Sequence, residues 1–150
     1  MLVVLLTSTA CTVGRPMAFT ARTNSFCSDA VTGIAKLAEP TSPIEQMQYA
    51  MDRYTIVEKA VSELTDSRLP GGTSGQQLRE RWLRPARAAL DRGRTALQDL
   101  RDAVHAHDVG AATTEFAAAR SVGIEGVDTA LLSAKGLGRC ATLFSAAKSD

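Results

Sequence analysis

The side chains best suited to chemistry in this chain are three cysteines (Cys11, Cys27 and Cys140), two histidines and a cluster of arginines. A thiol can be acylated, joined to a second thiol or used as a metal ligand, and the compartment decides among these fates. His105 and His107 stand beside Asp108. Residues two apart on a helix point about 200° from each other, so the two imidazoles do not converge on one ion. No third ligand has the spacing that a metal site needs, and no metal is expected. The serines and threonines have no base placed by an elbow or triad pattern. Gly71-Gly72 lacks the lysine of a phosphate loop. Asp99 and Asp102 read as surface charge. The residues therefore offer no catalytic constellation, imply no cofactor, and predict a protein that is not an enzyme.

Cys11 has a context of its own. The chain opens with the apolar run Leu2 to Leu6, followed by Thr7-Ser8-Thr9-Ala10-Cys11. An apolar stretch followed by small residues has the shape of a secretory signal, and it is far too short to span a membrane. Ser8-Thr9-Ala10-Cys11 resembles the lipobox of bacterial lipoproteins, whose cysteine thiol is diacylated before the signal is removed. Ser8 stands where that family prefers leucine, and no lysine or arginine precedes Arg15. The resemblance implies a signal peptide over 1–10 and lipid attachment, by acyl chains such as palmitate, at Cys11. Residues 12–24 are mostly polar and include Gly14 and Pro16. They read, with Cys11, as a flexible tether over 11–24 that carries a helical domain over 25–150.

Export would leave Cys27 and Cys140 in an oxidising compartment, where two cysteines predict one disulfide. The bond would join residues 113 apart. Closing a loop of that order stabilises by about 4.7 kcal/mol as an upper figure.

The elements must position these cysteines. Of 150 residues, 45% are apolar and 22% charged, enough for one domain with a real core. The net charge of +1 gives no argument for nucleic acid. Aromatics are scarce and alanine is abundant, which favours closely packed helices over a sheet. The first helix is predicted from about Ser25 to Ala38, ending ahead of Pro40. The second is announced by Ser42, Pro43 and Glu45, a capping box with proline pre-set for helix. Its seam is Met47, Ala50, Tyr54, Val57, Val61 and Leu64, with Tyr49 facing away from it. The third starts at Thr73 or Ser74, and its seam runs from Leu78 and Trp82 to Leu100 and Val104. The apolar phase is unchanged across Pro85, which predicts one kinked helix, with a break at Arg84 as the lesser alternative.

The fourth helix begins after Asp108. Its seam of small residues runs from Ala112, Phe116 and Ala119 through Gly123 to Ala134, and Gly136 and Gly138 end it. A short turn carrying Cys140 follows. Brief connections make consecutive helices antiparallel neighbours. The expected fold is thus all-α, an antiparallel up-down-up-down four-helix bundle, with Cys27 and Cys140 at one end.

Arg79, Arg81, Arg84, Arg87, Arg92 and Arg94 surround Trp82. Arg79, Arg84, Arg87 and Arg94 are the candidate patch for an anionic partner such as a phospholipid headgroup or an acidic wall polymer; the plainer reading is a solvated outer face. In layout the whole chain resembles small lipoproteins of actinobacterial envelopes, with a lipobox leader, a polar tether and a helical domain with two terminal cysteines. That resemblance implies anchoring at the outer face of the cytoplasmic membrane. The expected role is a non-catalytic module that docks an envelope partner. The alternative is a carrier of a hydrophobic small molecule, held between helices along the small-residue seam.

Overall fold

Helices begin where the first turn's unpaired N–H groups find an acceptor or are absent, and this chain uses both devices. The computed structural model describes residues 14–120 and 126–145. Among the described residues the chain is all-helical. The signal peptide, Cys11 and Gly123 lie outside them. α1 spans Gly14–Ala35, and Pro16 falls in its first turn, where a missing N–H costs nothing. The expected tether is therefore corrected, since residues 14–24 are helix. The stripe that drives this is Phe19, Thr23, Cys27 and Ala30; Thr23 and Cys27 are buried and Phe19 packs on the core. Thr23 takes an i, i+4 position in that buried stripe, which polarity alone assigns to solvent.

α2 spans Pro43–Asp66 and carries the predicted capping box. The Glu45 N–H donates to Ser42 Oγ (3.3 Å), and Glu45 Oε2 accepts from the Ser42 N–H (3.1 Å). The same oxygen accepts from the Thr41 hydroxyl and the Thr41 N–H, each at 2.7 Å. The Thr41 hydroxyl bond is the main cause that holds the Glu45 carboxyl below its ordinary range. The seam is buried from Ala50 to Leu64. Tyr49, expected on the outside, is buried as well, edge-on to Phe116 with ring centroids 6.1 Å apart. The apolar stripe of α2 is wider than a heptad seam because α2 packs against α1, α4 and α5.

From Gly72 to His105 the backbone is helical without interruption, as α3 (Gly72–Leu78), a π-helical turn (Arg79–Leu83) and α4 (Arg84–His105). The predicted side-chain cap at Thr73 or Ser74 is replaced by Gly71, which makes no side-chain bond. Gly75 is required by contact, since a Cβ there would collide with the Pro70 carbonyl oxygen. Pro85 does not break the helix. The preceding turn widens, with the Arg84 N–H reaching back to the Arg79 carbonyl. Pro85 has no N–H for the Arg81 carbonyl, and the Asp128 N–H takes that acceptor at 3.0 Å. Asp128 also pairs with the Arg81 guanidinium and accepts from the Leu131 N–H (2.8 Å) to cap the next helix.

The predicted fourth helix is divided into α5 (Val109–Arg120), α6 (Thr129–Ala134) and α7 (Gly138–Ser145). Asp108 caps α5 as expected, accepting from the Ala111 N–H at 2.9 Å. The seam holds through Ala112, Phe116 and Ala119. Beyond it Ala130 and Ala134 are exposed, while Leu132 and Leu137 are fully buried. α6 ends in a Schellman turn, with the Leu137 N–H bonded to the Leu132 carbonyl (2.8 Å) and Gly136 at φ +74°.

Two buried clusters result. The larger joins α1, α2, the π turn, α6 and α7 around Trp82, which meets Phe144 edge-on at 6.3 Å. The smaller joins Tyr49, Leu100, Ala103, Ala112, Phe116 and Ala119 at the turn between α4 and α5.

Two outcomes test these local arguments. Gly75→Ala should cost about 1–3 kcal/mol, read as a lower midpoint in denaturant unfolding, because the Pro70 backbone cannot yield as a side chain would. Glu45 binds its proton less readily in the folded chain, so its stabilisation is present above the ordinary carboxylate value of 4.5 and is lost as pH falls below it. Thermal melts across that descent should fall less steeply for Glu45→Gln than for the parent chain.

Candidate functional site

Two features carry functional information: the paired cysteines and the exposed arginines. Cys27 and Cys140 form a disulfide, with Cα atoms 4.9 Å apart. Cys27 is not at a helix start, as expected, but in the middle of α1; Cys140 lies on α7, which packs along α1. Beside the bond, Asn24 holds the turn that leads into α7. Its Nδ2 donates to the Gly136 carbonyl (2.8 Å), and its Oδ1 accepts from the Arg139 N–H (3.1 Å). Asn24 was missed because the stretch containing it read as tether. Its spacing of three from Cys27, one helical turn away, was the signal available.

The arginines separate into two groups. Arg94, one of the four candidates, is drawn out of the patch. It pairs with Glu58 at 3.2 Å, and the Tyr54 hydroxyl donates to the same carboxylate oxygen at 3.2 Å. Burial, then the Glu58 charge, pushes the Tyr54 phenol above its ordinary value. Arg81 is occupied by Asp128. Arg79, Arg84 and Arg87 line one open groove of about 810 Å³.

That groove gains Arg68, from the loop after α2, which no spacing argument joined to the others. Its apolar parts are Leu69, Pro70, Leu83 and Ala88, and its acidic residue is Asp91. A second groove, of about 580 Å³, shares Ser67 to Pro70 with the first and continues to Arg22, Phe19 and Ala18 of α1. The Arg22 guanidinium lies over the Phe26 ring at 5.4 Å. Such a surface can bind anionic oxygen through fork-shaped donors, and it holds no nucleophile with a base beside it.

His105 and His107 are both exposed at the end of α4. Among the described residues no cluster of three or more His, Cys, Asp or Glu side chains is placed to hold a metal ion. Of the small-residue seam, Ala112 and Ala119 pack in the cluster of Tyr49 and Phe116, and Ala130 and Ala134 are exposed. An apolar depression of about 310 Å³ lies elsewhere, between α1 and α2, over Phe26, Ala30, Gly33 and Ile56. No described helix is long and apolar enough to cross a membrane.

The disulfide's contribution is measurable. Reduction should lower unfolding stability by up to about 4.7 kcal/mol, the chain-entropy value for a loop of this order. Equilibrium unfolding with and without reductant reads it, and superimposable curves would show that the bond adds nothing. No protein-family model, curated protein or solved structure matches this chain.

Proposed function

We propose that the chain is a non-catalytic interaction module of a bacterial cell envelope, exported and held at the outer face of the membrane by lipid on Cys11. The observation that carries this reading is the Cys27–Cys140 disulfide, because such bonds persist in oxidising compartments and are rare in the cytosol. The helix from Gly14 onward supports a short connection, leaving Thr12 and Val13 between the anchor and the folded domain. In this reading the helices form an antiparallel bundle whose first three sides are α1, α2 and α3–α4. The fourth side is α5 continued by α6 and α7. The module's working surface is the arginine-lined pair of grooves, since unpaired cations beside apolar groups suit a partner that presents acidic oxygens.

Cys11→Ala tests the anchor. Washed at high salt, which releases contacts held by charge alone, the variant should leave the membrane fraction and appear in the soluble extracytoplasmic fraction, and mass spectrometry of the parent chain should find acyl groups on Cys11. Undiminished membrane retention of the variant through that wash would overturn the lipid anchor.

A further inference from the structure

The two grooves that meet at the loop after α2 bring Arg22, Arg68, Arg79, Arg84 and Arg87 onto one face, against a single lining carboxylate, Asp91. All five arginines are exposed. Arg68, Arg79, Arg84 and Arg87 have no ion-pair partner among the described residues, whereas Arg81 and Arg94 of the same sequence stretch do. The net charge of the chain is only +1, so this concentration of cations is local.

Its location matters as much as its charge. Ala18 and Phe19 line the second groove, and Ala18 is about 6 Å along the helix axis from Gly14, at 1.5 Å per residue. Cys11 precedes Gly14 by three residues, a stretch that reaches about 11 Å at most. A lipid on Cys11 therefore keeps the bilayer surface close to the arginine face and leaves the turn between α4 and α5 remote from it.

We propose that this face docks on the anionic phospholipid headgroups of the membrane that holds the anchor, and so sets the orientation of the module. The location rests on the lipid-anchor reading; the binding chemistry does not. Guanidinium forks match phosphate oxygens in pairs of hydrogen bonds, and the half-buried Phe19, Leu69 and Pro70 supply apolar surface at headgroup depth. Cationic side chains near an anionic leaflet each strengthen binding about fivefold.

The test uses the full chain with Cys11→Ser, so that no lipid contributes. It should co-sediment with phosphatidylglycerol–phosphatidylcholine vesicles and not with phosphatidylcholine alone, and added salt should release it. Arg84→Ala and Arg87→Ala should each weaken binding about fivefold, and together about 25-fold. Arg101→Ala, on an exposed arginine near the far end of α4, should leave it unchanged. Circular dichroism confirms that each variant is folded. Failure to bind the anionic vesicles, equal binding to phosphatidylcholine, or an equal loss in Arg101→Ala would overturn the proposal. So would tighter, Arg84-dependent binding to soluble polyglutamate, which would assign the face to an acidic protein. None of these results depends on Cys11, so a failed anchor and a failed docking face are separately visible.

Discussion

A covalent tie between the middle of α1 and α7 is the constraint on which the larger core depends. α7 has eight residues, too few to persist as a helix in water by its own hydrogen bonds. The Cys27–Cys140 bond holds it along α1, where Leu143 and Phe144 are buried with Trp82, Leu132 and Leu137. Asn24 satisfies the turn into α7 from the same helix, so a bond and a polar bracket act one turn apart. This makes the larger cluster a product of residues far apart in the chain.

The second device is a proline that makes an acceptor available. In an uninterrupted α-helix the Arg81 carbonyl would be consumed within its own helix. Pro85 leaves it open, and the π turn before Pro85 lets the helix continue. Asp128 uses that acceptor, the Arg81 side chain and the first turn of α6 together. One acidic residue thereby fixes where the chain rejoins the π turn after α5. The sub-helices α6 and α7 follow from this docking point and from the Schellman turn at Gly136.

Charge is partitioned by the same packing. Arg81 and Arg94 are spent on Asp128 and Glu58, which fasten helices to one another. Arg79, Arg84 and Arg87 share the lining of one groove with Arg68, from the loop after α2. An arginine stretch scattered around a helix thus keeps Arg79, Arg84 and Arg87 on one groove, while Arg81 and Arg94 face Asp128 and Glu58.

What the sequence determined by itself was local or covalent in kind. The capping box at Ser42 and Glu45, the Asp108 cap, the buried seams of α2 and of α3–α4, and the pairing of Cys27 with Cys140 were all legible. Each depends on neighbours within a turn or, for the thiols, on setting Cys11 aside by its lipobox-like context, which leaves two. Tertiary structure decided the rest. It extended α1 back to Gly14, because Thr23 is buried there; turned Tyr49 inward, because α5 covers it; and divided the fourth helix, because Asp128 docks on Arg81. It also chose which arginines stay unpaired. These outcomes depend on partners far away in the chain, such as Asn24 and Gly136 or Arg68 and Arg84. Helical periodicity carries no record of which distant groups will meet, and the freed carbonyl, the buried threonine and the cationic face all depend on that meeting.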